Sequence, residues 1–323
     1  MIDILLLIVG LVLILTGANY LVDGASAIAK RAGLSDFIIG MTIVGIGTST
    51  PEMVVSFASA IKGTADIAVG NVLGSNIFNT LMILGATALF SPIRLTSNNV
   101  KKDIPFALLA AFVLCTFGCS TWLDGTAVNI ITRVGGILLL SLFGVFMAYT
   151  IYSSGSQKAS NTPDELSGSK KTAPIWLASL MILGGLCGLV FGGDMFVNAA
   201  SAIAKSLGVS DAVIAVTIVA GGTSLPELAS CLVAAYKKNT DQALGNVIGS
   251  NVSNIFLILG GSATIHPLVM AGTKPLDLIT LMVSSILIFL FAFTFKKKQI
   301  DRIEGALLVC LYIAFVVLTL KSL

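Results

Sequence analysis

The sequence predicts an all-α polytopic membrane protein with ten transmembrane helices, arranged as two inverted five-helix repeats with broken helices 2 and 7. Three observations predict it. The 323 residues are 56% hydrophobic and 11% charged, with a mean hydropathy of +0.98, which is typical of a polytopic membrane protein. The two halves are copies of each other, and each copy places a proline and a glutamate inside an apolar stretch.

Ten apolar stretches are each near the ~20 residues that a membrane span requires. They cover residues 4–27, 36–62, 66–90, 103–120, 134–152, 174–203, 211–236, 241–265, 276–295 and 303–320. The polar segment 153–173 separates a first half, 1–152, from a second half, 174–323. The first stretch has no basic segment before it and no cleavage site after it, so we expect a retained helix rather than a signal peptide.

An internal repeat relates the two halves. A shift of 175 residues aligns 17–88 with 192–263 without a gap, and 35 of the 72 aligned pairs are identical. Shared hydrophobicity alone does not produce such a match. Because each half has an odd number of helices, the second copy enters the membrane from the opposite side, as in the inverted repeats of secondary transporters.

The distribution of loop charge predicts the orientation. With the N-terminus outside, the cytoplasmic loops hold fourteen Lys and Arg residues and the outer loops hold five. This asymmetry follows the positive-inside rule. We therefore expect both termini on the extracellular or periplasmic side and residues 153–173 in the cytoplasm. The expected location is the plasma membrane, which in a bacterium is the inner membrane.

A proline motif occurs once in each half, as Gly47–Glu52 and Gly222–Glu227. Proline lacks a backbone donor and clashes with the preceding turn, so a helix must kink or break there. A break at membrane depth is tolerated only where the freed carbonyls are buried in protein or line a watery cavity. Glu52 and Glu227 would each lie in the first turn of the following half-helix, where the helix dipole favours negative charge. Such clusters of oxygen atoms suit hard cations.

Helices 3 and 8 carry a second repeated motif that the inverted symmetry brings toward the breaks. Ser75 and Asn79 are four residues apart and share a helix face, as do Ser250 and Asn254. These side chains have a second interpretation, because Asn and Ser in membrane spans often form hydrogen bonds that hold helices together.

The two glutamates also have a structural interpretation, since a single membrane glutamate can be protonated and bonded to a nearby carbonyl. The duplication of Glu52 and Glu227 in matching breaks favours a functional role, because ionisable groups inside spans usually mark ion pathways. Asn76 and Asn251 lie on another face of their helices, and we expect them to be structural.

The Gly-Thr-Ser-x-Pro-Glu pair and the Gly-Ser-Asn-x-x-Asn pair together resemble the two alpha repeats of the sodium/calcium exchangers, in the cation/calcium exchanger superfamily. The short central segment is similar to that of the minimal prokaryotic form. The resemblance implies four cation sites at mid-membrane. It implies that Ca²⁺ is held by Glu52, Glu227 and the carbonyls of Thr48 and Thr223. Sodium would use the same carboxylates with Ser49, Ser224, Ser75, Ser250 and the carbonyls of Gly45 and Ala220, while Asn79 and Asn254 flank the middle site.

One departure from the family pattern is informative. Some relatives, including potassium-dependent exchangers, have aspartate at the position of Asn254, whereas this chain has an amide. The resemblance therefore favours potassium-independent exchange of Na⁺ for Ca²⁺ by alternating access. It implies three Na⁺ per Ca²⁺ and an electrogenic cycle, although two carboxylates alone would also permit a neutral 2:1 cycle.

Three other functions compete with this expectation. A Ca²⁺/H⁺ exchanger would use the same fold, and a passive cation channel would belong to a different class. A membrane enzyme or scaffold is the third class, and it is disfavoured because the single histidine, His266, lies at a helix end without a nucleophile beside it. We expect Na⁺ and Ca²⁺ as transported substrates and the lipid bilayer as surroundings, with no organic cofactor, no nucleic acid and no obligatory protein partner.

Overall fold

The computed structural model describes residues 2–125, 127–157, 173–209, 220–294 and 298–321, together with Ile214 and Ile218. Within these residues, six helices are long and apolar enough to cross a membrane, or seven if one bent pair counts as a single span. The prediction of a helical membrane protein is confirmed. The count of ten spans stays a prediction, because three further helices are shorter.

The helices of the first half are α1 Ile2–Ala32, α2 Asp36–Thr48, α3 Thr50–Ile61, α4 Ala65–Phe90, α5 Ile104–Gly118, α6 Ser120–Leu123 and α7 Arg133–Gln157. Those of the second half are α8 Ile175–Ser206, α9 Ala220–Gly222, α10 Leu225–Tyr236, α11 Thr240–Ile265, α12 Pro275–Phe291 and α13 Arg302–Lys321. A wider turn over Asn99–Asp103 leads into α5.

Several predicted boundaries are wrong by a few residues. Helix α1 continues to Ala32, and α7 continues to Gln157, which is inside the predicted connection 153–173. The apolar pattern ends before the backbone hydrogen bonding does, because polar residues can extend a helix beyond the membrane. Helix α12 ends earlier than predicted, at Phe291. The predicted start of helix 7, at residue 211, lies outside the described residues.

Two short antiparallel ladders connect the halves. Strand β1 Ile93–Arg94 pairs with β4 Gln299–Ile300, and β2 Ile130–Ile131 pairs with β3 Leu268–Val269. The 175-residue shift places β1 on β3, and β2 and β4 each precede the last helix of their half, so the two ladders occupy corresponding places in the two halves. Each ladder fixes a loop of one half against a loop of the other.

Helices α1 and α8 run antiparallel and touch along small residues spaced by seven. A Cβ atom added at Gly10, Gly17 or Gly24 would lie 2.9, 2.8 or 2.7 Å from a carbonyl oxygen of α8. The three backbone contacts are Gly10 with Gly192, Gly17 with Gly185, and Gly24 with Ala178. The two backbones therefore pack without intervening side chains, as small residues allow in membranes.

Helix α11 forms the centre of the molecule, and most of its residues are buried. A Cβ atom at Gly245 would lie 2.1 Å from the carbonyl oxygen of Phe37, and one at Gly249 would lie 2.0 Å from that of Met41. Glycine is thus required where α11 crosses α2. This crossing brings the polar motif of α11 beside the break between α2 and α3.

Candidate cation site

The proline motifs break their helices as the sequence predicts. Helices α2 and α3 meet at Ser49 with a bend of 46°. In the second half, Thr223 and Ser224 separate α9 from α10. The proline of each motif lies in the first turn of the second half-helix, and so does the glutamate that follows it.

Each break donates a hydrogen bond to the carboxylate of the other break. Ser49 Oγ donates to Glu227 Oε1 at 2.9 Å, and Ser224 Oγ donates to Glu52 Oε1 at 2.9 Å. Ser75 Oγ, from α4, also donates to Glu52 Oε1 at 3.2 Å. The two breaks therefore face each other, and hydrogen bonds join both predicted glutamates to three of the four predicted serines.

The two carboxylates each keep one oxygen uncommitted. Glu52 is 0% exposed and Glu227 is 1% exposed, yet Oε2 of each has no hydrogen-bond partner. Glu304 provides a contrast, because it is equally buried and its oxygens accept from Thr294 Oγ1 and from the backbone N–H of Asp301. A buried carboxylate oxygen without a partner is costly, and a hard cation would satisfy it.

The two predicted amides lie in wider, π-helical turns. These turns cover Phe78–Ile83 in α4 and Asn254–Leu259 in α11, within one residue of equivalent positions in the repeat. Both amide atoms of Asn79 and the Oδ1 atom of Asn254 are buried without a hydrogen-bond partner, as is Thr223 Oγ1. Single π-helical turns inside α-helices often mark functional sites. The sequence offered no signal for them.

The cluster is not symmetric. Ser250 is the repeat equivalent of Ser75, but its Oγ donates to the Gly45 carbonyl at 3.0 Å and to Asn246 Oδ1 at 3.2 Å instead of to a glutamate. The Gly45 carbonyl, a predicted sodium ligand, is thus hydrogen-bonded to a hydroxyl in this conformation. Ala220 begins α9, directly after residues that the structure does not describe.

Two further asparagines support the site, and sequence reasoning gave them no role. Asn246 Oδ1 accepts from Thr48 Oγ1 at 3.2 Å, and Asn71 Nδ2 donates to the backbone carbonyl of Glu52 at 3.2 Å. Each lies four residues before the serine of its motif, so it shares that serine's helix face. This four-residue spacing is the feature of the sequence that could have identified both asparagines as part of the site.

A cavity of about 460 Å³ lies between α3, α8 and α10, and residues of both breaks, Pro51 and Thr223 among them, line it. Asp194, Asn198 and Thr223 are among the residues that line it. Thr223 is partly exposed, whereas its repeat equivalent, Thr48, is 0% exposed. Open space therefore comes closer to the cluster at Thr223 than at Thr48.

Polar contacts of α1 lie on the opposite side of the site. Lys237 Nζ forms an ion pair with Asp23 Oδ1 at 2.7 Å, and Ser26 Oγ donates to Gln242 Oε1 at 3.2 Å. At the equivalent position of α8, Ser201 Oγ is buried without a partner. These contacts tie α1 to the region between α10 and α11.

A helical membrane protein with two facing helix breaks and a buried cluster of carboxylates, hydroxyls and amides is a transport protein for cations. The family model described as "Sodium/calcium exchanger protein" matches residues 2–152 and 177–321. The chain therefore belongs to the sodium/calcium exchanger family, a family of ion antiporters, and the resemblance drawn from its motifs is confirmed.

Similar proteins cover nearly the whole chain. The "Putative antiporter CaxA" of Alkalimonas amylolytica is 37% identical over 320 residues, with 98% of each chain covered. The "Sodium/calcium exchanger MaX1" of Methanosarcina acetivorans is 33% identical over 343 residues, again with 98% of each covered. A solved structure of the sodium-calcium exchanger NCX_Mj, soaked with Na⁺ and Sr²⁺, has a TM-score of 0.81 at 31% identity and 98% coverage of both chains.

Proposed function

We propose that this protein exchanges Na⁺ for Ca²⁺ across the plasma membrane by alternating access, with three Na⁺ per Ca²⁺. One observation carries the proposal: two buried glutamates, Glu52 and Glu227, are each bonded by the serine of the opposite repeat and each keep one free oxygen. This arrangement offers a divalent cation two carboxylates from opposite directions.

The proposed ligands come from both breaks. Ca²⁺ binds between Glu52 and Glu227, together with the carbonyls of Thr48 and Thr223. Thr48 is the last residue of α2, and terminal carbonyls of a helix have no partner within that helix. The proposed sodium ligands are the same carboxylates with Ser49, Ser224, Ser75, Ser250 and the carbonyls of Gly45 and Ala220. In this proposal Asn79 and Asn254 flank the middle site.

The proposed transport cycle follows from the cost of the empty site. Two carboxylates without counter-ions in a dry core are strongly unfavourable, so the site must carry cations or protons when the protein changes sides. Exchange is then favoured over one-way transport. The movement is a displacement of α1 and α8, whose glycine-lined contact lets them move as one unit past the site.

The proposed topology has ten spans, with α5, α10 and α12 as the shorter ones and both termini outside. In this orientation the 460 Å³ cavity lies on the outer side of the site, and the ion pair of Lys237 with Asp23 lies on the cytoplasmic side. Both features support an outward-facing conformation in which the two glutamates themselves remain buried. In this conformation α1 contributes to the cytoplasmic ion pair and α8 lines the outer cavity, although the two helices are equivalent in the repeat.

Charge counting supports the proposed ion stoichiometry and independence of potassium. One Ca²⁺ neutralises Glu52 and Glu227, and three Na⁺ leave one positive charge that the amides of Asn79 and Asn254 do not cancel. Among the residues that the structure describes, no third carboxylate joins these two to hold K⁺ in addition. We therefore propose an electrogenic cycle without a K⁺ requirement.

Uptake of ⁴⁵Ca²⁺ into Na⁺-loaded proteoliposomes tests the function. Uptake should saturate with external Ca²⁺, require internal Na⁺ and be unchanged when external K⁺ replaces choline. Uptake driven by a proton gradient without Na⁺ would instead identify a Ca²⁺/H⁺ exchanger. Non-saturating flux without counter-transport would identify a channel.

A further inference from the structure

A chain of buried amides connects α4 and α11 at the centre of the molecule. Asn76 Nδ2 donates to the backbone carbonyl of Asn251 at 3.1 Å, and Asn254 Nδ2 donates to Asn76 Oδ1 at 3.0 Å. Asn76 and Asn254 are both 0% exposed, so water does not compete for these bonds. Asn254 is a predicted site residue, and Asn76 was expected to be structural.

The chain of bonds determines which way each amide points. A backbone carbonyl can only accept, so Asn76 must direct its NH₂ group toward Asn251. The Oδ1 atom of Asn76 is then an acceptor facing Asn254, and Asn254 must direct its own NH₂ group there. Asn254 Oδ1 consequently points away from this bond, and it is buried without a partner.

The orientation matters because an amide has one end that binds cations and one that repels them. The oxygen of Asn254 is a suitable ligand for a hard cation, whereas its NH₂ group would present donor hydrogens. A reversed amide would remove a ligand and place partial positive charge in its position. A carboxylate at this position would present an oxygen to the cation in either orientation.

The other repeat has no equivalent of this arrangement. Asn251 is the repeat equivalent of Asn76, but its Nδ2 donates to Thr80 Oγ1 at 2.8 Å, and Asn79 has no hydrogen-bond partner on either amide atom. Position 80 is Thr, and the equivalent position, 255, is Ile. Because only one repeat has this hydroxyl, only one of the two central amides is held in a fixed orientation.

We propose that Asn76 is a positioning residue that holds the amide of Asn254 with its oxygen toward the transported cation. The inference rests on the proposed function, in which Asn254 lies beside the cations. It makes position 76 a determinant of cation affinity although its own side chain contacts no ion.

The proposal predicts that the effect of Asn76 depends on the residue at position 254. With Asn254, loss of Asn76 frees the amide to reverse, and cation affinity falls. In Asn254→Asp, either oxygen can serve as a ligand and no orientation has to be imposed. Moreover, Asn76 Oδ1 would then face a carboxylate oxygen at hydrogen-bond distance, so removing it should preserve or improve affinity.

A double-mutant cycle of Asn76→Ala and Asn254→Asp tests the inference. The measurements are the half-saturating Ca²⁺ concentration of Na⁺-driven uptake and the rise in Tm on adding Ca²⁺ or Na⁺ in detergent. Asn76→Ala should weaken Ca²⁺ affinity about tenfold, the size expected for a lost buried hydrogen bond. In the Asn254→Asp background the same change should weaken it less than about twofold. Asn251→Ala is the matched control and should leave affinity within that range.

An equal loss of affinity in both backgrounds would mean that Asn76 only stabilises the fold, and unchanged affinity in Asn76→Ala would equally overturn the inference. If Asn76→Ala does not insert, Asn76→Ser replaces it and keeps a polar group at the position. If the wild type takes up no Ca²⁺, the proposed function fails, and the shifts in Tm with Na⁺ still decide whether Asn76 controls cation affinity.

Discussion

Replacement of Glu52 by glutamine changes the chemistry of the site at one defined atom. Glu52 Oε1 accepts from Ser224 and Ser75, whereas Oε2 has no partner. In Glu52→Gln the amide oxygen keeps the two serine donors, because an NH₂ group cannot accept from them. The NH₂ group therefore occupies the position of Oε2. The atom available to a cation changes from an acceptor to a donor.

The size of the effect follows from the lost charge. Two unit charges 4 Å apart interact by about 4 kcal/mol at an effective dielectric constant of about 20. Losing the attraction of the carboxylate for only one of the two charges of Ca²⁺ would therefore lower Ca²⁺ affinity about a thousandfold, since each 1.4 kcal/mol is about tenfold. The second unit of charge and the misplaced NH₂ group add to this loss. We expect no measurable Na⁺-driven Ca²⁺ uptake by Glu52→Gln.

The assay combines transport with thermal stability. Uptake of ⁴⁵Ca²⁺ in proteoliposomes measures function, and the Tm in detergent measures folding with and without Ca²⁺. The ion-free variant should be at least as stable as the wild type, because it lacks one unpaired buried charge. Calcium at a hundred times its Kd should stabilise the wild type by about 2.7 kcal/mol and should not stabilise the variant.

Glu304→Gln is the matched control. Glu304 is as buried as Glu52, but both of its oxygens are hydrogen-bonded within the protein and none is available to an ion. This variant should keep uptake per folded molecule even if its Tm falls. Near-normal uptake by Glu52→Gln, or an equal loss in both variants, would refute the assignment of Glu52 as a cation ligand.

Four further predictions follow from the proposed mechanism. A cysteine at Ser156, which lies near the end of α7, should react with impermeant maleimide only from the cytoplasmic side, and labelling of intact cells from outside would reverse the orientation. External rubidium should not be taken up with Ca²⁺, and coupled rubidium uptake would contradict potassium independence. Asp23→Asn removes an ion pair whose side chains are 26% and 55% exposed, so the contact is worth at most about 1 kcal/mol. The inward-open population should therefore rise by up to about fivefold. The measurement is the rate at which a cysteine replacing the buried Ala25, in a cysteine-free background, is labelled from the cytoplasmic side. An unchanged labelling rate would argue against this contact as a gate. A positive interior potential should accelerate Ca²⁺ uptake into Na⁺-loaded liposomes, because one charge is worth about 2.3 kcal/mol per 100 mV. A reversal potential that fits two Na⁺ per Ca²⁺ would contradict the 3:1 cycle.

The helix breaks were predictable because their cause is local. Pro51 and Pro226 each remove a backbone donor, and the repeat doubles the signal. The convergence of the two breaks followed from the inverted symmetry. The same local signals could not define helix ends such as that of α7, because a helix can continue after its apolar pattern has ended.

The contacts between the repeats were not predictable from the sequence. The bonds from Ser49 to Glu227 and from Ser224 to Glu52 depend on how closely the two breaks approach, which tertiary packing decides. The π-helical turns around Asn79 and Asn254 also arise from packing, since no residue type specifies them. The role proposed for Asn76 depends on a single backbone carbonyl of the opposite helix.

The reciprocal serine bonds give a physical reason why exchange is favoured over leakage. Each carboxylate is held by the serine of the other repeat, so the two halves form one site rather than two independent ones. In the empty site both remaining oxygens stay buried without partners, and this cost is largest when the site is closed to both sides. A bound cation or a proton removes the cost, so the closed state is reached most easily when the site is occupied. The identity of the counter-ion then depends on whether Na⁺ or H⁺ satisfies those oxygens. Serine, carbonyl and amide oxygens around the two carboxylates favour Na⁺, because a proton would need only one acceptor whereas a sodium ion needs several.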